Sequence, residues 1–146
     1  MILWDVNLWV YAFRSDSPHH LVARTELDGA SRKFREAFLL CPHVAASFLR
    51  LVTNARVFAQ PSQPEEAWSF IDVLESRDDM IRAEIDPMTF GIFKHICLVS
   101  QATGNDVPDA LLASVAIRHD ATLVTMDRGF ERFAGLAWRI PESAEI

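Results

Sequence analysis

Residues 104–133 read GNDVPDALLASVAIRHDATLVTMDRGFERF, and the fold turns on how this stretch is parsed. The segment DVPDALLASVAIRHD, beginning at Asp106, predicts a short helix. Asp109 sits in its first turn, three residues before Leu112, with Val115 and Ala116 continuing the same stripe. Helical geometry therefore puts Asp109 on the buried face, toward whatever the helix packs on. The helix feeds directly into ATLVTMD, a strongly apolar run that predicts a strand ending at the acid Asp127. A helix followed by a uniformly apolar strand belongs to a parallel sheet covered on both faces.

Moving outward, the chain begins with the same grammar. In ILWDVNLWVYAF, residues 2–13, a short apolar strand ends at Asp5, and Val6, Trp9, Val10 and Phe13 then recur at helical spacing. AFLLC predicts a second buried strand, stopped by Pro42. PHVAASFLRLVTN then predicts a helix with Val44, Ser47, Phe48 and Leu51 on one face. PEEAWSFIDVLESR predicts a helix with Pro64 and two acids in its first turn. MIRAEI alternates as a strand. DPMTFGIFKHICLVSQATGN predicts a long helix capped by Asp86 and stopping near Gly104, GFERFAG a turn or short helix, and LAWRI a last edge strand. Strands and helices alternate throughout, so the expected class is α/β with a mainly parallel sheet. In such sheets ligands bind beyond the carboxyl ends of the strands.

The 146 residues suit one domain. The net charge of −6 argues against bulk, non-specific nucleic-acid binding, but not against a local grip on nucleic acid. Two cysteines, Cys41 and Cys97, lie in apolar segments without metal-ligand spacing and are expected as reduced, buried thiols. The N-terminus lacks the features of a signal peptide, and no apolar run approaches the roughly 20 residues that span a bilayer. A cytoplasmic protein with no membrane partner is the expectation. Walker A, GxGxxG and Gly-x-Ser-x-Gly motifs are missing, which removes support for nucleotide-driven and serine-hydrolase chemistry.

Asp5 and Asp127 end strands and Asp109 opens a helix, so three carboxylates from distant parts of the chain could converge on one rim. Like charges about 4 Å apart repel by about 4 kcal/mol at an effective dielectric near 20. A hard divalent cation such as Mg²⁺ or Mn²⁺ resolves that conflict and can activate water for phosphodiester hydrolysis. Plainer roles stay open for each acid. Asp5 could cap the first helix, Asp109 could answer the helix dipole, and Asp127 could shape the MDRG turn.

The stretches ILWDVNLWVYAF, FLRLVTNARVF, GNDVPDALLASVAIRHDATLVTMDRGFERF and LAWRIP together resemble the PIN-domain ribonucleases, and more narrowly the VapC-like toxins of toxin–antitoxin modules. The resemblance implies a PIN-like three-layer α/β/α sandwich, one PIN domain over residues 1–146, with a five-stranded sheet. It implies metal-dependent endonucleolytic cleavage of RNA by water. Asp5, Asp109 and Asp127 would hold Mg²⁺ or Mn²⁺ as the catalytic acids, and Asn7, Ser47 and Thr125 would support them from behind. The implied partners are an RNA substrate, a cognate antitoxin protein and a second copy in a homodimer.

Two positions depart from the family pattern. Ser47 stands where most members carry glutamate, and Gly129 where many carry an acid. Ser47 brings no charge, so metal affinity should fall and a second metal is in doubt. Asp106 could compensate, with helix capping its plainer role. Arg14, Arg50, Arg128 and Arg132 lie in or beside the matched stretches. Arg50 and Arg128 are candidates for contact with RNA phosphates, while Arg14 and Arg132 are expected as solvated surface residues. Two rival readings follow. One is a catalytically weakened PIN-like module that binds RNA or antitoxin without cleaving. The other is a phosphohydrolase with Asp5 as aspartyl nucleophile, which would usually want an acid where Asn7 stands.

Overall fold

Runs of three or four apolar residues, flanked by helix starters, fold as short central strands. The computed structural model describes residues 1–29 and 36–142. In chain order its elements are β1 (Ile2–Trp4), α1 (Val6–Phe13), α2 (His20–Gly29), β2 (Phe38–Leu40), α3 (Pro42–Val52), α4 (Pro64–Glu75) and β3 (Met80–Arg82). There follow α5 (Pro87–Ser100), α6 (Asp106–Arg118), β4 (Thr122–Val124), a 3₁₀ turn over Arg128–Arg132 and β5 (Trp138–Arg139). HHLVARTELDGASRK, residues 19–33, reads as an amphipathic helix that frays at Gly29; its part beyond Gly29 lies outside the described residues.

The five strands form one sheet in the order β3-β2-β1-β4-β5, and every pairing is parallel. This is the α/β/α architecture expected. The central strands β1 and β2 are buried along their whole length, whereas the edge strand β3 is largely exposed. That contrast explains why the central runs are uniformly apolar and MIRAEI alternates. The chain builds outward from β1 to β2 and β3, then returns to add β4 on the other side of β1. The order therefore reverses between β1 and β4, and the crevice at their carboxyl ends is the natural ligand position.

Aromatic packing fixes the helices on one side of this point. Trp9 of α1 stacks at 6.2 Å from Phe38, 5.8 Å from Phe48 and 6.4 Å from Phe70, joining β2, α3 and α4. Such pairs contribute about 0.5–1.5 kcal/mol each beyond burial. Elsewhere α5 packs along α6. Asp86 caps α5 by accepting from the Thr89 amide at 2.7 Å, and Arg118 from the end of α6 donates to the same carboxylate, also at 2.7 Å. The Arg118 guanidinium holds the Asp86 carboxyl well below the usual range. Tying the end of α6 to the start of α5 sets where Asp109, at the opposite end of α6, can lie.

α5 stops earlier than Gly104. It ends at Gln101, which takes a left-handed conformation with φ 54°, while its amide bonds to the Cys97 carbonyl. Gly104, with φ 55°, instead serves the turn into α6, a conformation glycine adopts without Cβ strain. Both cysteines are free thiols; Cys41 is buried and Cys97 half-buried. Among the described residues, no helix is long and apolar enough to cross a membrane.

Candidate active site

β1 and β4 run side by side in register, with Trp4 opposite Val124. One residue further on, the Asp5 amide donates to the Val124 carbonyl at 3.0 Å. Asp5 and Thr125 thus leave the sheet as neighbours. The Thr125 hydroxyl donates to Asp5 Oδ2 at 2.7 Å and accepts from the Asp127 amide at 3.0 Å. A single buried hydroxyl uses its one proton on the first acid and a lone pair on the backbone of the last.

Asp5 is 5% exposed, and it occupies the residue before α1 without making a side-chain capping bond. Its carboxylate faces Thr125 instead, so capping is not what keeps it there. Burial pushes its pKa up to about 6, opposed by hydrogen bonds from Thr125 and the Val6 amide. The charges of Asp109 and Asp127 raise it further. All three acids therefore act on one another through space.

Asp109 is half-buried in the first turn of α6, beside the buried Ala110 and Leu112. Burial raises its pKa, Arg132 lowers it, and the charges of Asp127 and Asp106 raise it. Asp127 is exposed and accepts from the Gly129 amide at 2.7 Å, capping the 3₁₀ turn. The turn-shaping role left open for Asp127 is thus one that it fills. Asp106 does not cap α6; it is the first helical residue, and Asn105 holds the cap position. Asp106 instead pairs with Arg132 at 3.2 Å.

Arg132 is the residue the sequence reading undervalued. It is exposed, as expected, yet it donates to Asp109 Oδ2 at 2.8 Å and lies over the Phe133 ring at 4.4 Å. Arg14 is likewise engaged, pairing with Asp16 and the Gln60 carbonyl over Phe58, away from the acids. Asn7 and Ser47 are half-buried in α1 and α3, and among the described residues neither makes a side-chain hydrogen bond to the acids. Arg50, in the last turn of α3, and Arg128, opening the 3₁₀ turn, are exposed. No group of three His, Cys, Asp or Glu side chains among the described residues is drawn tightly enough to hold a metal ion.

Residues 2–136 match the PIN domain. The chain belongs to the PIN-domain family. It is 38% identical over 141 residues to the VapC ribonuclease Mb2897 of Mycobacterium bovis, covering 97% of this chain and 95% of that one. It is 34% identical over 136 residues to ribonuclease VapC31 of Mycobacterium tuberculosis, covering 93% and 95%. Among solved structures, VapBC2 from Rickettsia felis, bound to a DNA fragment from its promoter, superposes with a TM-score of 0.73 at 21% identity, covering 96% of this chain and 98% of that one. The VapC20 toxin of Mycobacterium tuberculosis, described as cleaving the sarcin–ricin loop, superposes with a TM-score of 0.68 at 14% identity, covering 94% and 97%. These likenesses fix the fold, and the two sequence relatives place the chain among the VapC ribonucleases.

Proposed function

We propose that this PIN domain is the toxin of a toxin–antitoxin pair and hydrolyses RNA phosphodiester bonds at the β1–β4 rim with Mg²⁺ or Mn²⁺. The observation that carries this reading is the Asp5–Thr125–Asp127 connection, with Asp109 close enough to act electrostatically on Asp5. The VapC ribonuclease relatives supply the substrate class, and the VapBC structures supply the antitoxin partner.

The donors suit a hard divalent ion. They are all carboxylate oxygens, and Asp5 carries a charge that its surroundings under-compensate. A hard ion of this kind keeps several waters and takes one or two direct carboxylates. Asp5, Asp109 and Asp127 would hold it. When bound, it supplies Lewis acidity to the attacking water and the scissile phosphate. Asp5 is held at the rim by the Thr125 hydroxyl. Asn7 and Ser47 orient water, and the exposed Arg50 and Arg128 meet RNA phosphates. A homodimer forms through the side of α5 on which Met88, Leu98 and Val99 are exposed.

The test is cleavage of RNA by the recombinant chain with Mg²⁺ or Mn²⁺, with EDTA, and in Asp109→Asn. Chelation and the substitution should each lower the rate by at least about 100-fold. Full turnover in EDTA overturns the mechanism. The open arrangement of the acids and the uncharged Ser47 favour one second reading, a module that binds RNA without cutting. RNA binding with no cleavage under any metal condition selects it.

A further inference from the structure

β5 lies at the edge of the sheet and is two residues long, with β4 as its one neighbour in the strand order. So short an edge strand is expected to fray on backbone bonds alone. Its place is fixed from outside the sheet. Arg139 of β5 donates to both carboxylate oxygens of Glu26 in α2, at 2.5 and 3.2 Å, and to the Ile140 carbonyl at 3.2 Å. Glu26 is 8% exposed, so its charge sits largely out of water and depends on that cation. A two-pronged guanidinium–carboxylate contact fixes direction as well as distance.

The same arginine reaches the rim through its backbone. The Arg139 carbonyl accepts from the Thr125 amide at 3.0 Å. Thr125 is fully buried, so its amide relies on β5 for a partner. The Thr125 hydroxyl in turn donates to Asp5 and accepts from the Asp127 amide. Glu26 is thus joined to Asp5 through one guanidinium, one strand bond and one hydroxyl.

We propose that the Glu26–Arg139 pair is a clamp on the rim: it holds β5 against β4 and so sets Thr125 against Asp5. The effect on cleavage rests on the nuclease reading above; the effect on the strand does not. Glu26 and Arg139 are positioning residues that act through Thr125.

Amide hydrogen exchange followed by NMR reads the clamp without RNA or metal. Glu26→Leu with Arg139→Met removes both charges and keeps apolar bulk in their place. In that double variant the Thr125 amide should exchange at least about tenfold faster relative to the Asp5 amide. The Asp5 amide bonds to the Val124 carbonyl across the β1–β4 pairing and serves as the internal reference. Arg139→Lys keeps a cation beside Glu26 but loses the fork, and should give about a threefold change in the same direction. It carries the test if the double variant does not fold. With RNA, kcat of the double variant should fall about tenfold while KM stays within about threefold. In a Thr125→Val background the same pair of substitutions should cost less than about threefold more, because the route to Asp5 is already cut. Equal acceleration of the two amides, or none in either variant, makes the pair a general stability element and overturns the clamp. A full, additive loss of rate in the Thr125→Val background overturns it as well. Selective acceleration at Thr125 together with no cleavage by wild type leaves the clamp standing and overturns the nuclease reading.

Discussion

Two regions of this molecule break the usual rule of polar outside and apolar inside, in opposite senses. At the carboxyl ends of β1 and β4 an aspartate is 5% exposed, while on α5 Phe90 and Leu98 are each 62% exposed. Both are costly for an isolated chain: one buries charge, the other hydrates apolar surface. The rim is rigid, built from strand register and a buried threonine, and its deficit is positive charge. The helix carries exposed apolar side chains beside the exposed Lys94 and His95. The difference separates what each region is proposed to take: a small cation at the rim, a second polypeptide surface on α5.

The sharpest way to break the comparison is to remove the buried charge. Burial lifts Asp5 from 3.8 to about 6. Between those values the folded protein binds the Asp5 proton more tightly than the unfolded chain does. Stability therefore falls as pH rises through that window and stays lowered above it. The charge costs on the order of 3 kcal/mol near neutrality. Metal-free Asp5→Asn should thus melt about 10 °C above wild type at neutral to alkaline pH, with the advantage gone by about pH 4. Added Mn²⁺ should narrow the gap by stabilising only wild type. Equal melting curves across the whole range would show that Asp5 is not an uncompensated charge.

How far the sequence announced this rim depends on the residue. Asp5 was legible because four apolar residues end at it, and a short buried strand must deliver its next side chain to a sheet end. Thr125 was legible for the same reason on β4, and Asp109 because the stripe through Leu112 and Val115 fixes its face; the strand expected to run to Asp127 stops at Val124, and Asp127 instead caps the 3₁₀ turn. Arg132 was not. Its role depends on the 3₁₀ turn folding back onto the start of α6, so that Arg132 meets Asp109, 23 residues earlier in the chain. No periodicity reports that return. Asp106 misled for a related reason: capping is a local preference, and a cross-element ion pair outweighed it. The stop of α5 was misplaced because glycine is the usual left-handed residue, yet Gln101 takes that conformation here.

A smaller effect should follow from cutting the connection between the acids while keeping their charges. Thr125→Val removes the hydroxyl that donates to Asp5 and accepts from the Asp127 amide. RNA cleavage should fall by about 10- to 100-fold, the range seen when supporting groups behind metal ligands are lost. Without that hydrogen bond the Asp5 pKa rises, so the acid limb of the pH–rate profile should move to higher pH. Thr125→Ser should restore both. A rate loss with an unmoved limb would mean that Thr125 acts through packing alone.

The smallest effect on the single chain, and the one that probes the other region, concerns α5. Met88 and Val99 are exposed and lie eleven residues apart, three helical turns along one stripe. The stripe borders an apolar groove lined by Ile92, Ile96 and Ile117. Met88 and Val99 are both largely exposed, so Met88→Glu and Val99→Glu should change monomer stability by no more than about 0.5 kcal/mol. Assembly should change far more, because a carboxylate on each copy would face its symmetry mate across an isologous contact. Sedimentation should show wild type as a dimer at micromolar concentration and both variants as monomers with unchanged circular dichroism. A monomeric wild type would break the parallel between the two regions. The antitoxin would then be the polypeptide left to cover α5.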